Sequence, residues 1–175
     1  HEDSYRALGI PILGRIEAPG TVEGGDTLWL DERTLAVGRG YRTNDEGIAQ
    51  LRAILARIGV EVLRTELPHW HGPAECLHLM SFISPVADDL AVVYLPLMAT
   101  PFVQELQRRN IRFIEVPEEE FETQGCNVLA LAPMTALVLA GSRITRSRLE
   151  AAGCTVLSYD GSEISHNRAG GPTCL

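Results

Sequence analysis

The sequence predicts an α/β protein built from a repeated strand–strand–helix–strand unit, and three observations predict it. Short apolar runs of strand length alternate with segments of helical period, the pattern of an α/β chain. The same succession of elements returns about three times, at a spacing near 50 residues. Each return is opened by an unusual polar cluster of Gly, Cys, His and acidic residues. Units whose apolar helix face cannot be buried in isolation must stack on, or close with, one another.

In the first unit, Thr27 to Leu30 reads as a strand, Asp31-Glu32-Arg33 as a turn and Leu35 to Gly38 as a second strand. A helix follows from a cap near Asn44 or Asp45, with Ile48, Leu51, Leu55 and Ile58 on one face and Gly59 as its stop. Val60 to Leu63 closes the unit. The second unit repeats this with strands at Leu79 to Ile83 and Ala91 to Leu95 around a turn at Asp88-Asp89. Its helix starts at Thr100-Pro101, the hydroxyl capping and the proline first in the helix, with Val103 and Leu106 inward and Asn110 at the end. Ile111 to Val116 closes it. The third has strands at Val128 to Leu131 and Ala136 to Ala140 about Pro133-Met134. A helix through Ile144, Leu149 and Ala152 stops at Gly153, and Cys154 to Leu157 closes the unit. Before all of these, the first nine residues read as the tail of a helix with Gly9 as its stop, and Ile10 to Ile16 as the closing strand of an earlier unit. With no initiator Met, residues 1–175 are expected to be one domain cut at both ends from a longer chain.

Composition narrows the function classes. The 175 residues are 45% apolar and 22% charged, ordinary for one globular domain with a core. No apolar run nears the roughly 18 residues of a membrane span. A net charge of −8 without a basic cluster excludes nucleic acid as the expected partner, and suits a cationic small molecule. Cys76, Cys126, Cys154 and Cys174 form no C-x-x-C pair, so they read as reduced thiols of a cytoplasmic protein. His69-Trp70-His71 with Cys76 and His78 raises zinc, but no acidic ligand follows at a zinc-hydrolase spacing, so no metal and no cofactor is expected. Trp70 and its neighbours read instead as a loop over a site. Glu118-Glu119-Glu120 reads as a solvated turn.

The polar clusters are Glu23-Gly24-Gly25-Asp26, Glu75-Cys76-Leu77-His78, Gly125-Cys126-Asn127 and Gly170-Gly171-Pro172-Thr173-Cys174. Glu23, His78, Asn127 and Cys174 lie 55, 49 and 47 residues apart, close to one repeat each. Taken singly, each has a plainer reading: a surface turn at Glu23 to Asp26, a core histidine at His78, a solvated Arg42, a packed cysteine at Cys174. Units set around an axis would bring equivalent positions together, giving a thiol, a base and an orienting acid one shared site.

These motifs, with Gly40-Tyr41-Arg42-Thr43-Asn44 and His78-Leu79-Met80-Ser81-Phe82, resemble the guanidine-modifying superfamily of pentein fold, and most closely its dimethylarginine dimethylaminohydrolases. The resemblance implies a partial α/β propeller, about three units of five. It implies Cys174 as nucleophile, His78 as acid and base and Glu23 as its orienting acid. It further implies substrate contacts from Arg42, Asp26 and Asn127 and from the Arg168 carbonyl. Asp26 reads in addition as shaping the turn around Glu23. Arginine deiminases and amidinotransferases usually carry Asp where Met80 stands. The expected reaction is hydrolysis of a guanidino C–N bond through an S-amidino intermediate, giving citrulline and an amine. Amidino transfer or arginine deimination at the same Cys-His-Glu site, and a non-catalytic binding module, are the alternatives. The implied partner is a small guanidino molecule, and a homodimer is compatible with it.

Overall fold

The computed structural model describes residues 2–75, 77–167 and 170–174. Short helix α1 (Glu2–Ala7) ends at Gly9, whose φ of +72° supplies the left-handed stop expected from the sequence. Three strand–strand–helix–strand units follow. The first holds β1 (Thr27–Asp31), β2 (Thr34–Arg39), α2 (Asp45–Ala56) and β3 (Glu61–Glu66). The second holds β4 (Ile83–Ala87), β5 (Leu90–Val93), α3 (Thr100–Arg108) and β6 (Arg112–Glu115), followed by the single turn α4 (Glu118–Phe121). The third holds β7 (Leu129–Ala132), β8 (Thr135–Leu139), α5 (Arg143–Ala151) and β9 (Thr155–Tyr159).

Each unit makes its own three-stranded sheet, and the sheets share one design. The first two strands form an antiparallel hairpin, and the third joins the second in parallel after the helix. All three hairpins slip register at the same place, between Trp29 and Asp31, Pro85 and Ala87, and Ala130 and Ala132. A bulge bends and twists its strand, so the units repeat in shape as well as in order.

The middle strand of each sheet is covered on both faces, which is why it reads as an unbroken apolar run. In β2, Leu35 and Val37 face Ile48 and Leu55 of α2, while Ala36 faces a larger cluster. That cluster runs through all three units, from Leu28 by way of Phe82, Val92 and Leu106 to Val138 and Leu149. Burying a large aliphatic or aromatic side chain stabilises by about 1.5–3 kcal/mol; this shared core therefore joins the units. The Met134 N–H also donates to the Val86 carbonyl (2.9 Å), hairpin to hairpin.

Several local expectations are corrected. Ile10 to Ile16 forms no strand: it crosses α2, with Gly14 against Ile54, and has no neighbouring strand to pair with. Residues Leu79–Ser81 are a 3-10 turn, and the strand starts only at Ile83. Helix α3 takes Ala99 as its N-cap, leaving Thr100 first and Pro101 second, with no side-chain cap. Ile58 lies beyond the end of α2 and Ile144 lies in the first turn of α5, and both stay exposed. Glu118 to Glu120 is helical, and Glu120 is buried. Its carboxylate accepts from the Ile144 N–H (2.6 Å), the Thr145 N–H (2.8 Å) and the Thr145 hydroxyl (2.7 Å). It thus satisfies first-turn donors of α5 that have no partner within the helix.

Candidate active site

The site residues stand at the starts of the units. Glu23 is the N-cap of the 3-10 turn Gly24–Asp26, and its backbone N–H donates to Thr43 Oγ1 (3.0 Å). His78 is the N-cap of the turn Leu79–Ser81; its N–H donates to Ser81 Oγ (3.0 Å), and the Ser81 N–H donates to the His78 carbonyl (3.0 Å). The two side chains meet, with His78 Nε2 and Glu23 Oε2 2.7 Å apart. An ionised carboxylate can only accept, so Nε2 holds the proton of that hydrogen bond. Arg42 Nη1 donates to the other oxygen, Glu23 Oε1 (3.2 Å). The His78 hydrogen bond first, then Arg42, hold the Glu23 carboxyl below its ordinary range.

Gly25 makes this contact geometrically feasible. A Cβ there would lie 2.7 Å from His78 Cγ and Nδ1, so the imidazole packs directly on backbone.

Asp26 closes the 3-10 turn that follows Glu23. It is wholly buried, its Oδ2 accepts from the Thr43 hydroxyl (2.6 Å), and its Oδ1 accepts from the Leu79 N–H (3.2 Å). Burial raises its carboxyl against the pull of the Thr43 bond. Both oxygens are engaged by scaffold groups, so Asp26 shapes the Glu23 turn and joins it to the His78 turn without facing a cavity. Arg42, expected to hold a substrate carboxylate, donates from Nη1 to Glu23 Oε1.

Cys174 ends the 3-10 turn Pro172–Cys174 and is exposed, while Cys126 and Cys154 are buried and burial raises their thiols. Asn127 Nδ2 donates to Cys174 Sγ (3.2 Å). Gly171 has no positive φ. Gly171 is required for space, since a Cβ would fall 2.3 Å from Asn127 Cγ.

Two adjoining cavities, of about 450 and 400 Å³, both include His78, Ser81, Asn127 and Cys174 in their walls. Trp70, Glu75 and Glu122 wall the first; Gly25, Met80 and Thr173 wall the second. The expected loop over the site is therefore present: Trp70 stands edge-on to Phe121 (6.0 Å), which stacks on Tyr94 (3.9 Å). Another cavity, of about 750 Å³, lies at the hairpin ends of β1, β4 and β7; neither histidine nor cysteine lines it.

Equal phase of the four residues does not hold in detail. Glu23 and His78 do occupy one position, before the turn that opens their unit. Cys174 closes its turn, the position of Asp26 and Ser81, and no 3-10 turn precedes β7. His78, Asn127 and Cys174 nonetheless share cavity walls, and Glu23 bonds to His78. Arg168 and Cys76 lie outside the described residues. Among the described residues no His, Cys, Asp or Glu cluster suits a metal, and no helix is long and apolar enough to cross a membrane. Thr43, Ser81 and Thr173 hold these turns through their hydroxyls, a role that residue type alone does not signal.

The repeated α/β units hold the carboxylate and the imidazole at their opening turns, and the thiol on the turn Pro172–Cys174. The model for the family described as N,N dimethylarginine dimethylhydrolase, eukaryotic, matches residues 13–175. A dimethylarginine dimethylaminohydrolase of Streptomyces coelicolor is 32% identical over 174 residues, covering 99% of this chain and 60% of the relative. Among solved structures, the Pseudomonas aeruginosa enzyme, a cysteine-to-serine mutant complexed with citrulline, aligns with a TM-score of 0.72 at 30% identity. That alignment covers 91% of this chain and 56% of the other. A histidine-to-glycine dimethylarginine dimethylaminohydrolase adduct with S-methyl-L-thiocitrulline aligns at 0.80 with 28% identity, over 99% of this chain and 62% of the other. The chain belongs to the dimethylarginine dimethylaminohydrolase family. It spans 60% and 57% of the lengths of the first two curated relatives.

Proposed function

We propose that the protein hydrolyses a guanidino C–N bond of a methylated arginine, with Cys174 as nucleophile, His78 as acid and base, and Glu23 as the group that orients His78. The observation that carries this reading is the pair of cavities walled by both Cys174 and His78, with Glu23 fixing the imidazole at 2.7 Å. A guanidinium carbon is a weak electrophile, so attack needs a thiolate, and a thiolate is favoured beside a cation. The substrate supplies that cation. Glu75 and Glu122 in the cavity wall suit it as well.

Cys174 Sγ bonds to the guanidinium carbon, and protonated His78 transfers its proton to the departing alkylamine as the C–N bond breaks. His78, now neutral, takes a proton from water as the oxygen attacks the S-amidino carbon. The C–S bond breaks, the thiolate re-forms and the ureido product leaves. The fold reading that accompanies this is three consecutive units of a five-unit propeller, supported by the three separate sheets of equal design. Met80, two residues after His78, offers no second carboxylate where arginine deiminases and amidinotransferases carry one.

Release of the ureido product from dimethylarginine, with arginine and agmatine as controls and with and without glycine as acceptor, tests the reaction. Cys174→Ser is expected to lower turnover at least about a thousandfold. Equal release by wild type and mutant would reject Cys174 as nucleophile, and an amidinated glycine product would identify transfer.

A further inference from the structure

Between β3 and the His78 turn, residues 67–75 form a strap that is tied down at its root and at its middle. The Leu67 N–H donates to the Arg39 carbonyl (2.9 Å), and its side chain fills the space that a Cβ at Gly38 or Gly40 would need. Further along, His69 Nδ1 and the Tyr41 hydroxyl are hydrogen-bonded (2.6 Å), and the His69 carbonyl accepts from the Gly72 N–H (2.8 Å). Between exposed His69 and His71, Trp70 is half-buried and has a φ of +46°. A bulky residue takes that left-handed conformation only where its surroundings compensate. The indole stands edge-on to His71 (4.4 Å) and to Phe121 (6.0 Å), and Phe121 packs against the core shared by the units. The strap thus sets an aromatic ring, firmly backed, in the wall of the 450 Å³ cavity that also includes His78 and Cys174.

A ring with Glu75 and Glu122 in one cavity wall fits a cation that carries apolar substituents. The ring face attracts the charge, and its carbon surface covers the substituents. A methyl group on a guanidinium nitrogen removes an N–H donor and adds apolar area, so it suits a ring better than a hydrogen-bond acceptor. A bare guanidinium leaves N–H groups facing that ring without acceptors. We propose that Trp70 is a specificity-determining residue whose ring covers the alkylated nitrogen of the guanidinium, and that Tyr41 holds it there through His69. This rests on the proposed reaction at Cys174 and His78, and names the side chain by which that site selects alkylated over unmodified arginine.

The test compares kcat/KM for dimethylarginine and for arginine in wild type, Trp70→Ala, Trp70→Phe and Tyr41→Phe. A methyl-sized group in an apolar pocket is worth about tenfold or more, so Trp70→Ala is expected to lower the dimethylarginine-to-arginine ratio by about ten- to a hundredfold, chiefly through KM. Trp70→Phe keeps a ring and is expected to stay within about threefold of wild type; Tyr41→Phe, which frees His69, is expected to lower the ratio about threefold. Should Trp70→Ala lose the wild-type circular dichroism, Trp70→Leu, which keeps apolar bulk without the ring, reads the same ratio. Equal losses on both substrates would overturn the proposal, because a cover without choice lowers both alike. Calorimetric binding of the two compounds to Cys174→Ser reads the preference without turnover. A ratio there that survives Trp70→Ala, or no binding of either compound, would also overturn it. A binding preference abolished by Trp70→Ala, in a protein whose wild type hydrolyses neither compound, would uphold the selecting ring and reject the reaction.

Discussion

The junction between the first and second units and the junction between the third unit and the C-terminal turn meet the same packing problem with different chemistry. At the first, buried Asp26 accepts the Leu79 N–H, and Gly25 gives way to the His78 ring. At the other, Asn127 accepts the Thr173 N–H, and Gly171 gives way to the Asn127 amide. In both, a polar side chain of one turn holds the backbone of the next, and a glycine admits a side chain at close range. Between them, Ser84 serves the middle junction, donating to the Cys126 carbonyl (2.7 Å) and accepting from the Val128 N–H (3.3 Å). The scaffold needs a hydrogen-bonding side chain at each junction and is indifferent to its charge. What differs is the residue held: an imidazole paired to a carboxylate at one end, a sulfur paired to an amide at the other. Charge is thereby placed by a framework that does not itself depend on it.

If that division holds, loss of a held group should remove activity and spare the fold. His78→Ala carries the largest expected effect after the nucleophile, a fall in kcat/KM of about 10²–10⁴, the range for a general acid–base. Urea unfolding should be little changed, because His78 is a partly exposed wall residue rather than core. A loss of stability matching the loss of activity would merge the two roles.

Loss of a holding group should do the reverse. Asp26→Ala leaves the Thr43 hydroxyl and the Leu79 N–H buried without acceptors. At about 1–3 kcal/mol for an unsatisfied buried group, an overall destabilisation of about 2–4 kcal/mol is expected by urea denaturation. Glu23→Gln, at a side chain 42% exposed, should cost no more than about 1 kcal/mol. Equal costs would show that the charged pair, and not the buried carboxylate, joins the units.

The sequence made the held groups legible and left most of the holding groups hidden. Cys, His and Glu stand out because they recur in polar clusters before apolar strands, where packing alone would not place them. Their register was less legible: residue counting set Cys174 level with His78, but a turn of three residues separates the two positions. Ser84 and Glu120 gave no signal. Ser84 is one small polar residue inside a strand, and Glu120 is chemically identical to Glu118 and Glu119, separated from them only by its contact with α5. The run from Ile10 to Ile16 has strand composition, but a strand is a paired object, and composition does not name the partner. The middle strands β2 and β5 were easy to recognise because burial on both faces leaves an uninterrupted apolar run.

The smallest expected effect is a contrast in pH dependence between the two carboxylates of the first turn. Glu23 has a lowered folded-state value, set first by His78. Its stabilisation is present above the ordinary carboxylate range and is lost as pH falls through the lowered value. Asp26 has a raised value, set by burial. Its protonated form is the one the fold favours, so its contribution is present at low pH and is lost as pH rises through the raised value. Relative to wild type, Glu23→Gln should therefore lose stability between about pH 3 and 6, and Asp26→Asn should gain it over the same interval. Guanidinium unfolding of the three proteins at closely spaced pH values measures both slopes. Parallel slopes would mean that the two carboxylates share one environment, and that the buried acid and the paired acid are not the separate devices their surroundings make them.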